Sequence, residues 1–214
     1  MVKLGDSETE KLVRKWKIPH VRQFLAKTPA QAVKAAKRMG WPVALKVSSR
    51  DVIHKTDTGG LVLDVGSVKG VERAYKRITR NVEKKNKGAK INGVLVQEMV
   101  SGKEVIIGSK QDPTFGPVIM FGLGGVFVEV MKDVSFRLIP ITRTDAREMI
   151  EEIRSYSILA GSRGQKPVNF RALENCLLAV SKMVWGEKKI KELDINPLFV
   201  DSKKAVAADV RILV

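Results

Sequence analysis

The sequence predicts an α+β fold, because helical and strand-like segments are mixed along the chain without regular alternation. Several strand-like runs follow one another with no helix between them, which is not the pattern of a doubly wound parallel sheet. Hydrophobic residues make up 44% of the 214 residues, enough for one large domain or two compact lobes. No apolar run reaches the roughly 18 residues that a membrane-spanning helix needs.

In the first half of the chain, helix-start signals and short apolar runs define the elements. Ser7 and Glu10 form a capping box that predicts a helix as far as about Lys15. Thr28 before Pro29 predicts a second helix, which stops at Gly40. Short apolar runs predict strands over 21–25, 43–47, 61–65 and 94–99, and a helix is predicted over 68–85.

In the second half, strands are predicted over 104–110 and 118–121, before a glycine-rich stretch over 121–125. Two helices follow, around 145–154 and 171–185, and then a closing pair of strands over 190–195 and 205–213. Cys176, the only cysteine, shares a helical stripe with Leu173 and Val180, which predicts a core position. A single cysteine excludes an internal disulfide and fits a reducing, cytoplasmic location.

The charge balance is strongly basic: 39 Lys and Arg against 23 Asp and Glu give a net charge of +16. Such a field attracts nucleic acids, acidic partners or the phosphates of nucleotides. The densest basic stretch, 77–90, contains no aromatic residue, so platforms for stacking bases are poorly supplied. We interpret it as a solvated helix end and loop. A nucleic-acid-binding module, recognisable by salt-sensitive binding, remains an alternative of another class.

Residues 44–60 carry the most chemical information. Lys46 lies inside an apolar run, where an ammonium group is costly unless it is paired. His54, one of two histidines, lies in the polar loop that follows, and the loop ends in Gly59 and Gly60. Two glycines permit either a close backbone approach to a ligand or a turn with positive φ. The segment is typical of phosphate handling, with His54 as the candidate carrier.

Other phosphate-binding motifs are absent from the sequence. There is no GxxxxGK[ST] loop, and Gly122-x-Gly124-Gly125 lacks the third glycine of the dinucleotide fingerprint. Glu98 ends one predicted strand and Glu104 begins the next. Either carboxylate can accept hydrogen bonds from adenine, ribose or a lysine.

A set of oxygen-bearing side chains lies near the C-terminus. Glu192, Asp194 and Asn196 alternate along a predicted strand and therefore share one face. Asp209 follows in the next predicted strand, opposite them if the two strands form a hairpin. Such ligands, completed by phosphate oxygens, suit Mg²⁺. Taken alone, Asn196 before Pro197 is equally explained by a turn.

Together these segments resemble the ATP-grasp family, and within it the β subunits of ADP-forming acetyl-CoA synthetases, relatives of succinyl-CoA synthetase. The resemblance covers nearly the whole chain and rests on SSRDVIHKTDTGG, LVQEMVSGKEVIIG, FGLGGVFVEVMKDVSFRLIPI, GSRG, ELDINPL and a final ADVR. It implies an ATP-grasp domain over 1–214, with lobe A over about 19–97 and lobe B formed by about 1–18 and 98–214. The lobes of that fold hold ATP or ADP with Mg²⁺.

The resemblance also implies a role for each candidate residue, as phosphate contacts, base and ribose contacts, metal ligands and a phosphoryl carrier. The implied phosphate contacts are Lys46, Lys55, Gly59 and Gly60, and the implied base and ribose contacts are Glu98, Met99, Val100 and Glu104. The implied metal ligands are Asn196 and Asp209, and the implied phosphoryl carrier is His54.

The activity implied by the resemblance is the reversible reaction acyl-CoA + ADP + phosphate to acid + CoA + ATP, with this chain running the nucleotide half. No CoA-binding or acyl-substrate domain is recognisable, so we expect a partner α subunit that carries those sites, in a cytoplasmic hetero-oligomer. Another ATP-grasp carboxylate ligase, which forms an acyl phosphate without a histidine carrier, is the alternative within the same fold.

Overall fold

The computed structural model describes residues 1–52, 55–125, 132–161 and 164–214. The chain divides into two compact units, a smaller one of Val21–Met99 and a larger one that combines Met1–His20 with Val100–Val214. In chain order the elements are α1 (Asp6–Lys15), β1 (Gln23–Ala26), α2 (Pro29–Met39), β2 (Val43–Ser48), β3 (Leu61–Val65), α3 (Val68–Lys85), β4 (Gly93–Glu98), β5 (Lys103–Asp112), β6 (Gly116–Leu123), β7 (Val134–Leu138), α4 (Arg143–Glu152), α5 (Tyr156–Ala160), α6 (Phe170–Gly186), β8 (Glu192–Val200), β9 (Ala205–Ala207) and β10 (Val210–Leu213).

The smaller unit is an antiparallel sheet in the order β1-β4-β2-β3, with α2 and α3 packed on one face. Helix α2 begins where predicted, because Thr28 accepts a hydrogen bond from Gln31 N and Pro29 occupies the first turn. Ser67 caps α3 in the same way, through Gly70 N. The helices bury small and branched side chains against the sheet, so this unit has a hydrophobic core of its own.

The larger unit is an antiparallel sheet in the order β10-β8-β5-β6-β7, with β9 paired to β8. Alternate residues of β5 and β6, such as Ile107 and Ile119, form its core with Met149 of α4 and Leu177 of α6. Cys176 belongs to this core and is 1% exposed, which confirms the prediction for it. Burial raises the pKa of the Cys176 thiol to about 12, so the group is inert at neutral pH.

The C-terminal strands differ from the prediction. Strand β8 does not end at residue 195 but runs on to Val200, because Pro197 lies in an irregularity where the register with β5 shifts between Val105 and Ile107. The strand predicted over 205–213 is broken into β9 and β10, so Asp209 lies between two strands rather than within one. Strand β7 and helix α5 were not predicted from the sequence.

Among the described residues, no helix is both long and apolar enough to cross a membrane.

Candidate active site

Lys46 lies in β2, an inner strand between β4 and β3, and is only 7% exposed. Its register partners are Leu95 of β4 and Leu61 of β3. Alternation along the strand places Lys46 on the face opposite Leu45 and Val47, whose side chains belong to the helix-packed core. The structure therefore places a lysine on the helix-free face of the smaller sheet, at a position where a charge is expensive to bury.

The loop after β2 contains the predicted carrier His54, which lies outside the described residues and stays a prediction. After this gap, the carbonyl oxygen of Lys55 accepts hydrogen bonds from Gly60 N at 2.7 Å and from Thr58 Oγ1 at 3.0 Å. Gly59 N donates to Thr56 O at 3.0 Å. These bonds close residues 55–60 into a compact turn that leads directly into β3.

Both glycines of this turn are explained by contacts inside the smaller unit. Gly59 has a φ of 67°, which favours glycine, and a Cβ there would lie 2.6 Å from Asn81 Nδ2 of α3. A Cβ on Gly60 would lie 2.7 Å from Val47 Cγ1. Lys85 of α3 also holds the turn, because its Nζ donates to Asp57 O at 2.6 Å. The sequence predicted either a turn with positive φ or a close approach to a ligand for this glycine pair. The turn describes Gly59, and a position beside bound phosphate remains a proposal.

Glu98 ends β4 and is bound by an arginine that the sequence analysis did not identify. Its Oε1 accepts from Arg22 N at 2.8 Å, and its Oε2 accepts from Arg22 Nε at 2.6 Å. No local pattern reveals this pair, since the two residues are 76 positions apart. Met99 and Val100 follow, both half-buried, where the chain passes from the smaller unit to the larger.

Glu104 lies near the start of β5, paired with Phe199 of β8, and is exposed. Its carbonyl oxygen accepts a hydrogen bond from Gly124 N at 2.7 Å. A Cβ on Gly124 would lie 3.1 Å from the Glu104 backbone, so the glycine-rich stretch serves close packing on β5 at this point.

Asn196 and Asp209, the predicted metal ligands, are brought together by the backbone of the larger unit. Asn196 N donates to Asp209 O at 3.1 Å, and Ala208 N donates to Pro197 O at 3.0 Å. The break between β9 and β10 therefore lies directly opposite the irregularity of β8. Both positions remain at least partly accessible.

The chemistry of this pair fits Mg²⁺, which prefers carboxylate and amide oxygens and usually keeps water or phosphate in its shell. Among the described residues, no group of three or more His, Cys, Asp or Glu side chains is placed to hold a metal. A cation bound by Asn196 and Asp209 would therefore need further oxygen ligands from water or phosphate.

The family of the chain follows from its sequence match. Residues 2–214 match the ATP-grasp domain family. The chain therefore belongs to the ATP-grasp family, which confirms the predicted fold.

Two relatives show how this domain occurs in longer and shorter chains. The chain is 41% identical over 98% of its length to the β subunit of acetate–CoA ligase (ADP-forming) I from Pyrococcus furiosus, and covers 91% of that subunit. It is 46% identical over 94% of its length to 4-hydroxybutyrate–CoA ligase (ADP-forming) from Nitrosopumilus maritimus, but covers only 29% of that longer chain.

A solved structure agrees over the full length. Dinucleotide-forming acetyl-coenzyme A synthetase 1 from Ca. Korarchaeum cryptofilum, in complex with coenzyme A and Ca-AMPCP, matches with a TM-score of 0.96 and 39% identity, over 100% of this chain and 93% of that one. A second complex of that protein contains Mg-AMPPCP, with its phosphohistidine segment pointing towards the nucleotide-binding site; it matches with a TM-score of 0.85 and 37% identity, over 99% of this chain and 92% of that one.

Proposed function

We propose that this chain is the nucleotide-binding subunit of an ADP-forming acyl-CoA ligase, which catalyses acyl-CoA + ADP + phosphate ⇌ acid + CoA + ATP. The pairing of Asn196 with Asp209 carries the proposal, because a backbone hydrogen bond brings together an amide-bearing and a carboxylate-bearing residue, two ligand types that suit the metal ion of a bound nucleotide. The relationship to an acetate–CoA ligase β subunit over 91% of that subunit's length supports the reaction class.

In the proposed site, the two compact units are the two lobes of the ATP-grasp domain. Lys46 and Lys55 neutralise phosphate charge, assisted by backbone N–H groups near Gly59 and Gly60. A bound Mg²⁺ would supply further neutralisation at the phosphate oxygens. The base and ribose would be received by four residues that lie close together in the sequence: Glu98, Met99, Val100 and Glu104.

His54 is proposed to carry the phosphoryl group. In the transfer to ADP, a terminal oxygen of the β-phosphate forms a new P–O bond as the P–N bond breaks. The electron pair of the broken bond returns to the ring nitrogen, and with a proton on the other nitrogen the ring leaves as neutral imidazole. Such a carrier splits one difficult transfer into two easier ones. The Korarchaeum enzyme contains a phosphohistidine segment, which supports a phosphohistidine step in the proposed reaction.

A companion α subunit is proposed to carry the CoA and acyl sites, in a cytoplasmic hetero-oligomer. The match spans 29% of the 4-hydroxybutyrate–CoA ligase, so the other 71% of that chain lies outside the matched part. A β subunit that is covered almost entirely shows that the same part also occurs as a separate chain.

The test of the carrier uses the chain assembled with its companion subunit and measures ATP formed from acetyl-CoA, ADP and phosphate. His54→Ala is expected to reduce the rate to background, because the proposed carrier of the phosphoryl group is removed. The matched control is His20→Ala, the only other histidine. His20 Nδ1 contacts Ile18 O at 3.1 Å, a structural bond whose loss should leave the rate within a few-fold of wild type.

The chemical identity of the intermediate separates this function from a carboxylate ligase of the same fold. Incubation with γ-labelled ATP should label wild type with a phosphate that is acid-labile and base-stable, and His54→Ala should not be labelled. Full ATP formation by His54→Ala would exclude the carrier role.

A further inference from the structure

A cavity of about 410 Å³ lies on the face of the larger sheet that is turned away from its helices. The register explains its composition, because residues opposite one another on neighbouring strands share a face: Arg211 is paired with Asp194, and Met120 with Phe136. Val118 and Lys110 form the next pair along the same face. The cavity therefore has an apolar wall on β6 and β7 and a charged wall on β8 and β10.

Arg211 is the unusual member of the charged wall. Its Nε is buried and has no hydrogen-bond partner within the described part of the chain. Its Nη2 lies 3.6 Å from Asp194 Oδ2 and 3.9 Å from Glu192 Oε1, distances longer than a hydrogen bond. A buried donor without an acceptor is costly, and such a group in a native protein calls for a ligand or a functional role.

The chemistry of a guanidinium group favours an oxyanion as the missing partner, since its planar donors match phosphate or carboxylate oxygens. Lys110 supplies a second cation, but Asp112, Glu192 and Asp194 also line the cavity. Asp112 is held ionised, because N–H groups of Phe115 and Thr114 lower its pKa. The lining thus carries one more acid than base. The carboxylates repel a free anion. They repel a phosphate with a bound metal ion less, because the positive charge of the metal offsets theirs.

The position of Arg211 along the sheet, taken with the proposed nucleotide contacts, indicates which phosphate it would meet. On β8, Phe199 pairs with Glu104, Asn196 follows, and Asp194 lies beyond Asn196, opposite Arg211. With a rise of about 3.3 Å per residue, Arg211 lies roughly 7 Å along the strands from Asp209. It is therefore on the side of the metal-ligand pair away from Glu104, the proposed nucleoside contact.

We infer that Arg211 binds the terminal phosphate of MgATP, the group that is transferred. This inference rests on the proposed function, because it uses Glu104 and the Asn196–Asp209 pair to orient the nucleotide. It makes Arg211 a binding residue for the triphosphate and not for the diphosphate. Arg211 belongs to the final ADVR segment of the sequence, from which no role was predicted for it.

The experiment measures dissociation constants of the full chain for Mg-AMPPCP and for MgADP by calorimetry. Arg211→Gln is expected to weaken Mg-AMPPCP by about 10- to 100-fold, the range for a lost charged hydrogen bond, and to change MgADP by less than about 3-fold. Arg211→Lys keeps the charge but lacks the planar set of donors, so its dissociation constant for Mg-AMPPCP should lie between those of wild type and Arg211→Gln. The matched control is Arg137→Gln, an arginine of the same sheet that pairs with Glu152 and Glu148, and it should alter neither constant.

Each remaining outcome decides a different point. Wild type that binds neither magnesium nucleotide, alone or with its companion subunit, would overturn the proposed function together with this inference. Wild type that binds both, with Arg211→Gln weakening both equally or neither, would overturn the role of Arg211 and leave the proposed function standing. Should Arg211→Gln fail to fold by circular dichroism, the ratio of the two constants for Arg211→Lys decides the question.

Discussion

Single residues on the helix-free faces of the two sheets carry most of the proposed chemistry. Lys46 is the clearest example, because an inner strand of a small sheet is an unfavourable place for an ammonium group. A hydrophobic residue of similar length would fit the same strand without that cost. Phosphate binding would give the lysine at this position a function.

Lys46→Met tests this explanation, because methionine keeps most of the side-chain volume and removes the charge. We expect MgADP to bind about 10- to 100-fold more weakly, the effect of losing a charged hydrogen bond. The thermal midpoint is measured in parallel, so that a loss of affinity is distinguished from a loss of folding. Calorimetry and differential scanning fluorimetry measure the two quantities. Lys76→Met, on the exposed surface of α3, is the control. Unchanged MgADP affinity would make Lys46 a structural residue only.

At the scale of elements, the turn over residues 55–60 is held by α3 and β2 rather than by its own residues alone. Lys85 and Asn81 of α3 bond to its backbone, and Val47 of β2 packs on Gly60. The segment that follows His54 is therefore anchored on two sides. Because the turn over residues 55–60 is held in place, it can support a neighbouring side chain that must act at a defined position.

Gly60→Ala tests how tightly this turn is packed. The new Cβ would lie 2.7 Å from Val47 Cγ1 and 3.2 Å from Lys55 O, so something must move. We expect the free energy of unfolding, measured with urea, to fall by about 1–3 kcal/mol, as in other overpacked sites. Gly66→Ala is the matched control, because nothing lies within 4 Å of a Cβ there, and it should change stability by less than about 0.5 kcal/mol. Equal stabilities of the two variants would contradict tight packing at Gly60.

At the scale of the whole molecule, the net charge of +16 makes the chain repel itself, and acid increases that repulsion as carboxylates are neutralised. Several carboxylates of the larger unit also contribute directly. Burial alone would raise the pKa of Asp133, but hydrogen bonds from Ser155 and Arg154 outweigh it and lower the pKa. N–H groups of Lys203 and Lys204 lower the pKa of Asp201.

These lowered pKa values predict an acid-sensitive larger unit. A carboxyl group whose pKa is lowered in the folded state stabilises the fold at pH values above its unfolded-state pKa, which is 3.8 for Asp133. This stabilisation is lost as the pH falls through the folded-state pKa. The free energy of unfolding, measured with urea at a series of pH values, should therefore be nearly constant from about pH 7 to 5 and fall below about pH 4. Asp133→Asn should be less stable at pH 7 and show a shallower fall. A profile identical to that of wild type would contradict this account.

Much of the fold was predictable from local signals. The Thr28–Pro29 start of α2, the buried stripe of Cys176 and the short apolar runs of β2 and β4 depend on neighbours in sequence, so capping chemistry and periodicity were enough. Strand β7 was missed because its hydrophobic residues Phe136 and Leu138 are exposed while its buried residue, Ser135, is polar, so the usual alternation is absent.

The sequence by itself determined the fold class, through residue types at short spacing, and the family and the candidate residues, through its resemblance to the ATP-grasp family. The tertiary structure decided which of them meet. The contact of Asn196 with Asp209 requires an irregular strand opposite a strand break, and the bonds of Arg22 to Glu98 join residues 76 positions apart. The buried donor of Arg211 is visible only once β10 is paired with β8. Such contacts arise from chain pairing over long separations, which no local pattern encodes.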